Sequence, residues 1–223
     1  MTIKAIVFDF DGTLMDTETC AYETYCGIYA EYGQELALEA WAVCIGTVGA
    51  FDPHADLEAK TGRAIDRQEL FSRFRARHDE NAKAVELRPG VLERLDEARR
   101  LGLKIGLASS SDREWIETHL RLKGIRDYFE VVRTSDDVKR VKPDPELYKL
   151  AVEGLGVNAN EAFAVEDSMH GLHAAKAAGL YGLVVPNPVT KQMDFSKADL
   201  IVDSLASRTF ADIMAELAQL NKR

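Results

Sequence analysis

The pattern of hydrophobic and polar positions changes character along this chain. Short apolar runs bounded by turn residues mark residues 1–15 and 86–223, and the first run, IKAIVF, occupies residues 3–8. Residues 16–85 instead carry apolar side chains at helical spacing, with almost no strand signal. We therefore predict an α/β domain from residues 1–15 and 86–223, and an all-helical domain, residues 16–85, inserted after the first strand.

Apolar strands and amphipathic helices alternate beyond residue 88. This alternation is typical of a parallel sheet that is covered by helices on both faces. The expected fold is a doubly wound α/β core. Its predicted strands span 104–109, 129–133, 162–165, 182–185 and 200–202, and its predicted helices span 91–101, 112–122, 145–155, 168–178 and 209–220.

The inserted segment is predicted to contain four helices. Thr17 is a candidate N-cap for the first of them. Asp52 followed by Pro53 marks the start of the third helix, and Gly62 marks its end. The four helices are expected over residues 17–33, 38–45, 53–61 and 66–84.

Composition and charge exclude some partners. The 223 residues carry a formal net charge of −9 without a dense basic stripe, which argues against nucleic acid. No stretch approaches the roughly 20 apolar residues that span a bilayer, and residues 1–13 do not resemble a signal peptide. Cys20, Cys26 and Cys44 lack CxxC spacing, which favours reduced thiols. We expect a cytoplasmic monomer or weak dimer with no membrane partner.

Two acids follow the first predicted strand directly. Asp9 and Asp11 are spaced i, i+2, so an extended backbone sends both side chains to the same side. Gly12 lets the chain turn immediately afterwards. Like charges this close require a counter-charge, and carboxylate oxygens suit a hard divalent cation next to a phosphoryl group.

Polar residues also follow other predicted strands or lie in the loops beyond them. They are Ser109 and Ser110, then Lys142, then Glu166 and Asp167. Ligands in open α/β sheets bind outside the carboxyl ends of the strands. We therefore expect these residues to meet the Asp9–Asp11 pair in one cleft.

The order of these segments resembles the haloacid dehalogenase superfamily, in particular its phosphatase branch with a small helical cap. The resemblance rests on DFDGT at 9–13, the helical segment after it, the serines at 109–110, KPDP at 142–145 and VEDS at 165–168. It covers nearly the whole chain. It implies a Rossmann-like core with an inserted cap, and a chemistry of phosphate esters.

This resemblance implies distinct roles for the first two acids. Asp9 is expected to be the nucleophile, which forms an aspartyl phosphate. Asp11 is expected to be the general acid and base, which protonates the leaving oxygen and later activates water. Dehalogenases of the superfamily resemble DxYGT at this motif, so Asp11 favours phosphoryl chemistry.

The resemblance also implies a Mg²⁺ site. Asp9, the backbone carbonyl of Asp11, and Asp167 are expected to bind the ion, with Glu166 as an outer partner. By themselves, Glu166 and Asp167 could instead be acids at a helix N-terminus.

Phosphate binding is assigned by the same resemblance. Ser109 is expected to contribute its hydroxyl, Ser110 its backbone N–H, and Lys142 its ammonium group. An ordinary helix N-cap is the alternative for the serines. Lys139 and Arg140 are the nearby alternatives to Lys142, and the KPxP register favours Lys142.

The cap is expected to select the substrate. Gly46 and Thr47 correspond in position to the family's cap loop near the leaving group, although a structural role is the alternative for both. A helical lid beside the cleft can exclude water during the first step and admit it for the second.

Several functions compete on this framework. The leading one is a Mg²⁺-dependent phosphatase for a small phosphorylated metabolite, with a sugar phosphate favoured. A β-phosphoglucomutase-like mutase is the second. By the resemblance, such mutases carry a histidine in the cap where this chain has Ala21. They also carry an arginine in the cap loop, whereas residues 45–50 of this chain contain no basic residue, and both differences disfavour a mutase. A non-enzymatic phospho-acceptor or binding protein is the third, and the long insertion together with Asp11 argues against it.

Overall fold

The computed structural model describes residues 2–47 and 49–220. Six parallel strands form one sheet: β1 Ala5–Phe8, β2 Lys104–Ala108, β3 Val131–Arg133, β4 Ala162–Glu166, β5 Tyr181–Val184 and β6 Leu200–Ile201. Their order in the sheet is β3-β2-β1-β4-β5-β6. Together with the flanking helices, this confirms the predicted doubly wound α/β fold.

Nine α-helices connect and flank the strands of the described chain. Four lie between β1 and β2, in the predicted insertion: α1 Thr17–Glu31, α2 Leu38–Ala42, α3 Pro53–Thr61 and α4 Arg67–Ala84. The others are α5 Val91–Arg100, α6 Arg113–Leu122, α7 Glu146–Leu155, α8 Met169–Ala177 and α9 Phe210–Leu220. None of these described helices is long and apolar enough to cross a membrane.

Both faces of the sheet are covered, as the continuous apolar strands predict. Along β1, Ile6 and Phe8 pack into a cluster with α5, α6 and α9. Ala5 and Val7 point the other way, into a cluster with α7 and α8. The alternation of side chains along a strand therefore supplies two cores from a single four-residue strand.

Strand register brings the ends of the central strands to one edge. Phe8 pairs with Leu107 on β2 and with Val165 on β4. The next residue, Asp9, donates its backbone N–H to the Val165 carbonyl at 2.9 Å. Since β1 lies between β2 and β4, the chain changes winding direction here, and such a switch point opens a crevice at the carboxyl edge.

The helical insertion has a small core of its own. Tyr29 and Trp41 are buried in it, with Leu57 and Leu70 from α3 and α4. Val189 of the α/β part joins the same cluster, so the insertion also packs against the loop after β5.

The caps of the insertion helices agree with the sequence in part. The Asp52 side chain accepts two backbone N–H groups at the start of α3, and Gly62 ends that helix with a φ of 65°. The N-cap of α1 is Asp16, which accepts the Thr19 N–H at 3.2 Å, and not Thr17. Helix α2 is also three residues shorter than predicted, because the chain turns after Ala42.

Candidate active site

Lys142 lies at the centre of a buried polar cluster. Its Nζ is 2.5 Å from Oδ1 of Asp9 and 2.7 Å from Oε1 of Glu166, and its side chain is 1% exposed. The Tyr148 hydroxyl donates to the same oxygen of Glu166. Burial alone would lower the pKa of Lys142, but the two carboxylates raise it, so the ammonium stays charged.

Asp9 is the first residue beyond β1 and is buried. Burial raises the pKa of Asp9 to about 8; Lys142 opposes this shift, and Glu166 adds to it. The carboxylate is the form that can attack phosphorus. A further cation beside Asp9 would favour that form.

Asp167 completes the edge from β4. Its Oδ1 accepts a hydrogen bond from the Thr13 hydroxyl at 3.2 Å, and its Oδ2 accepts one from the Asn187 amide at 2.7 Å. Gly12 has a φ of 75°, and a Cβ there would lie 2.1 Å from Oδ2 of Asp167. The turn after the first motif therefore requires glycine both for its backbone conformation and for space.

The three acids form a cluster whose charge is only partly neutralised. Oxygens of Asp9, Glu166 and Asp167 lie within 4.8 Å of one another, and all three residues are buried. Burial, reinforced by Asp9 and Glu166, raises the pKa of Asp167 well above its usual value. Lys142 is bonded to Asp9 and Glu166, the Arg88 charge acts on Asp167, and buried carboxylates require such neutralisation to ionise. Hard oxygen ligands in this arrangement fit Mg²⁺.

Asp11 points away from that cluster. Its Oδ1 accepts hydrogen bonds from the Thr17 hydroxyl at 2.7 Å and the Trp115 indole at 2.9 Å. Its Oδ2 accepts one from the Ser111 hydroxyl at 2.6 Å. The Asp11 carboxylate is therefore held by three donors, and its expected contact with a metal through the backbone carbonyl stays a prediction.

Both predicted serines lie beside the acids. The Ser109 hydroxyl accepts the Ser111 N–H at 3.0 Å, and the Ser110 hydroxyl donates to the Gly46 carbonyl at 3.2 Å. The N-cap of α6 is Asp112, which accepts the Trp115 N–H at 2.8 Å, so neither serine caps that helix.

The cap loop is hydrogen-bonded to the α/β part. The Thr47 hydroxyl donates to the Lys142 carbonyl at 2.6 Å. A Cβ on Gly46 would lie 2.2 Å from Oγ of Ser168, the N-cap residue of α8, so the loop approaches the start of α8 this closely only because residue 46 is glycine. Val48 belongs to the loop at residues 45–50, whose lack of a basic residue disfavours a mutase, and it lies outside the described residues.

Glu18 is an acid of this site that the sequence did not single out. Burial, reinforced by the charges of Asp11 and Asp9 and opposed by a backbone hydrogen bond from Gly46, raises the pKa of Glu18 to about 8. The position gives no motif signal, because an acid in the first turn of a helix is ordinary.

Two cavities that share several lining residues adjoin these side chains. A cleft of about 900 Å³ lies between the insertion and the α/β part, and Ala21 faces it. A chamber of about 80 Å³ lies deeper, next to the predicted nucleophile. Its walls are Asp9, Asp11, Glu18, Gly46, Thr47, Ser109, Ser110 and Ser111.

Three further residues of the site escaped sequence reasoning. Arg88 donates to the backbone carbonyls of Gly12, Val185 and Pro186, and thereby ties the first loop to the end of β5. Trp115 and Ser111 hold Asp11. The turn residues Pro89 and Gly90 after Arg88 gave only a sign of a loop there, and no sequence motif marked Trp115.

The fold is a Rossmann-like α/β fold shared with solved phosphate-binding proteins. The crystal structure of CbbY from Rhodobacter sphaeroides in complex with phosphate matches with a TM-score of 0.75 and 30% identity, covering 94% of this chain and 98% of that chain. A haloacid dehalogenase family hydrolase from Deinococcus radiodurans, with bound phosphate and sodium, matches with a TM-score of 0.78 and 26% identity, covering 98% and 96%.

The family follows from the sequence match. The model of the haloacid dehalogenase-like hydrolases matches residues 6–185. "Putative phosphatase YhcW" of Bacillus subtilis (strain 168) is 44% identical over 98% of this chain and 100% of its own length. "Phosphorylated carbohydrates phosphatase" of Thermotoga maritima is 33% identical over 82% of this chain and 86% of its own. The chain belongs to the haloacid dehalogenase-like hydrolase family, and it is a phosphatase of that family.

Proposed function

We propose that this phosphatase is Mg²⁺-dependent and hydrolyses a small phosphorylated metabolite, a sugar phosphate, through an aspartyl phosphate on Asp9. The observation that carries the proposal is the position of Lys142, whose Nζ lies between Asp9 and Glu166 at 2.5 and 2.7 Å. A buried cation next to a buried nucleophilic carboxylate is suited to attack on an anionic phosphate, because the ammonium offsets the repulsion between the two anions.

In the first step, an oxygen of Asp9 attacks phosphorus and the bond to the ester oxygen breaks. The electron pair of that bond goes to the leaving oxygen, and Asp11 supplies the proton that makes it an alcohol. In the second step, water attacks phosphorus, Asp11 takes the proton of the water, and the Asp9 carboxylate is released. The chamber beside Asp9 also contains Ser109 and Ser110, which can bind phosphoryl oxygens.

The buried acids are the proposed Mg²⁺ site. Asp9 and Asp167 would hold the ion, together with the Asp11 carbonyl, and Glu166 would act from outside because it is already bound to Lys142 and Tyr148. A bound Mg²⁺ supplies positive charge that neutralises phosphate oxygens and keeps the nucleophile ionised.

The cleft supports a small polar metabolite as the substrate. A volume of about 900 Å³ lies within the usual range for small-molecule sites. Its walls combine aromatic rings with charged groups, including Phe74, Trp115, Arg75 and Lys139. Among the relatives, one is named for phosphorylated carbohydrates, and a CbbY variant was crystallised with xylulose-(1,5)bisphosphate.

A phosphosugar mutase is the second candidate. Structural relatives described as β-phosphoglucomutases support it, including one from Thermotoga maritima with a TM-score of 0.75 and 26% identity. Ala21 argues against a mutase, because its methyl group faces the cleft at the position where the resemblance expects the mutase histidine. The family match and the phosphatases among the relatives disfavour a phospho-acceptor or a pure binding protein.

One screen separates these functions. Purified protein is offered a panel of phosphorylated metabolites with and without Mg²⁺, and both free phosphate and glucose 6-phosphate formed from glucose 1-phosphate are measured. A phosphatase releases phosphate over many turnovers and only with the metal. Conversion of glucose 1-phosphate without phosphate release would favour the mutase, and no turnover on any ester would contradict both.

The remaining proposals concern the setting of the enzyme. Cys20, Cys26 and Cys44 are free, which supports a reducing compartment such as the cytoplasm. We also propose a monomer or weak dimer whose partner is its small phosphorylated substrate.

A further inference from the structure

A row of stacked rings crosses from the helical insertion to the α/β part. Within the insertion, Tyr25 stacks on Phe74 with ring centroids 4.0 Å apart, and Phe74 stacks on His78 at 5.2 Å. His78 then stacks on Trp115 of α6, with centroids 5.0 Å apart and ring planes within 14° of parallel. Four rings from three helices therefore form one continuous row of contacts. Phe74, His78 and Trp115 line the cleft, and Tyr25 belongs to the core of the insertion.

Trp115 contacts two histidine rings and is hydrogen-bonded at its indole N–H. His78 stacks on the indole, and the His119 ring lies 4.0 Å from it, tilted by 44°, with its Nδ1 2.9 Å from the Trp115 carbonyl. The indole N–H donates to Oδ1 of Asp11 at 2.9 Å. The orientation of the indole therefore sets the direction from which Asp11 receives one of its three hydrogen bonds.

His78 is not fixed by a hydrogen bond of its own at Nε2. That nitrogen is buried and has no partner among residues 2–47 and 49–220. Burial lowers the pKa of His78, against the nearby charge of Asp11 and a backbone hydrogen bond with Thr17 in the insertion, which raise it. The contact between His78 and Trp115 is a stack of rings between α4 and α6, so a shift of α4 relative to α6 would break it.

We propose that Trp115 is a positioning residue for Asp11, and that His78 makes this positioning depend on the helical insertion. When the insertion covers the cleft, His78 holds the indole, and the indole N–H holds Asp11 in register for proton transfer. When the insertion moves away, the indole loses one of its two ring contacts. This inference rests on the proposed function, since it concerns the residue proposed to protonate the leaving group.

The test uses two esters of similar shape whose leaving groups differ in their need for a proton. p-Nitrophenolate leaves without protonation, whereas benzyl alcohol must receive a proton as it leaves. A residue that positions the acid affects benzyl phosphate more than p-nitrophenyl phosphate. A residue that only supports the fold affects both equally.

Variants at Trp115 and His78 separate the N–H from the stack. Trp115→Phe keeps a ring and loses the donor, so we expect kcat/KM for benzyl phosphate to fall about tenfold and that for p-nitrophenyl phosphate by less than about twofold. His78→Phe keeps the stack, so we expect the ratio of kcat/KM for benzyl phosphate to that for p-nitrophenyl phosphate to stay unchanged. His78→Ala loses the stack and lowers the ratio about threefold. The control Trp41→Phe changes the other tryptophan, in the core of the insertion, and leaves the ratio unchanged.

Equal losses on both esters in Trp115→Phe would overturn the inference while leaving the phosphatase intact. Failure of the unsubstituted protein to hydrolyse either ester with Mg²⁺ would instead contradict the proposed function, and the inference with it. A second measurement does not need turnover. In a Trp41→Phe protein, Trp115 is the one remaining tryptophan, so excitation selective for tryptophan reports on it alone. Adding His78→Ala should shift this emission to longer wavelength; unchanged emission would show that the stack is absent in solution.

Discussion

The carboxyl edge of the sheet and the inner side of the helical insertion face the same cleft, yet they are built differently. At the sheet edge, Glu166 and Lys142 are fully buried and bonded to each other and to Asp9. On the insertion, Phe71 is 52% exposed, and Arg75 faces the cleft without a described ion pair. The sheet edge is fixed before any ligand arrives, whereas the insertion presents open side chains.

This difference assigns different tasks to the two regions. Groups that react with phosphorus must be held in position, and the strand ends provide rigid supports for them. Groups that select the rest of the substrate can vary on a separate segment without disturbing the chemistry. We therefore expect substitutions at the sheet edge to reduce turnover strongly, and substitutions on the insertion to have smaller effects that depend on the substrate.

The largest effect is expected at Asp9. Asp9→Asn replaces the nucleophile with an amide of the same shape, so turnover should fall by about 10⁴-fold or more, because no covalent route remains. Phosphate release measures the loss, and circular dichroism should show an unchanged fold. Activity close to that of the unsubstituted protein would rule out the covalent route.

A smaller loss is expected at Asp11. Asp11→Asn removes the proton donor and acceptor, and turnover should fall by about 10²- to 10⁴-fold with both half-reactions slowed. The matched control is Asp112→Asn on the same side of the cleft, which keeps a side chain able to cap α6 and should have little effect. Normal formation and decay of the acyl phosphate in Asp11→Asn would show that the acid–base assignment is wrong.

Glu166 should matter through its neighbours. Glu166→Gln removes a charge that binds Lys142 at 2.7 Å, so the Mg²⁺ concentration needed for half-maximal activity should rise about 10- to 100-fold. Glu153→Gln, on exposed α7 surface, is the control. An unchanged Mg²⁺ concentration for half-maximal activity in Glu166→Gln would show that Glu166 does not contribute to Mg²⁺ binding.

Metal removal should make stability depend on pH. Burial raises the pKa of Asp9 to about 8, so the metal-free folded protein holds a proton that the unfolded chain releases near pH 4. The folded state then binds more protons than the unfolded state between these values, and stability falls as pH rises. In chelator, Tm should drop by several degrees between about pH 5 and 8, and Mg²⁺ should restore it. In the Asp9→Asn variant, Tm in chelator should depend less on pH. An equally steep dependence of Tm on pH would show that a group other than Asp9 causes it.

The smallest effect is expected where the insertion touches the sheet edge. Thr47→Ala removes the hydrogen bond to the Lys142 carbonyl, so KM should rise about threefold with little change in kcat. Thr47→Ser retains the hydroxyl and should behave like the unsubstituted protein. If Thr47→Ala lowers kcat as strongly as a substitution at the sheet edge, the proposed division between the two regions fails.

The two regions also differ in how well the sequence predicts them. The acids follow buried strands, and parallel strands end at one edge, so their meeting follows from strand order. Lys142 lies in the loop between β3 and α7, and only the KPxP register of the family resemblance singled it out. Trp115 and Glu18 lie on helices, where an aromatic ring or an acid is ordinary. Their positions at the site depend on how the insertion packs over α6, and hydrophobic periodicity does not encode that packing.

Local turn chemistry accounts for the smaller differences. Asp16 caps α1 in place of Thr17, because either side chain can accept a backbone N–H at that point, and Thr17 instead donates to Asp11. The sequence of residues 38–45 is apolar at helical spacing, yet the chain leaves the helix after Ala42 so that Gly46 can approach Ser168. In both places a contact from the other region decides the local structure.

The most direct test of the central claim is to trap the covalent intermediate. The protein is mixed with Mg²⁺ and a turned-over phosphate ester, quenched within a single turnover, and reduced with borohydride, which converts an aspartyl phosphate into homoserine. Peptide mass spectrometry should find homoserine in place of Asp9, only with substrate and metal present, and never in Asp9→Asn. Reduction at another carboxylate, or phosphate release with no reducible intermediate, would contradict the role of Asp9.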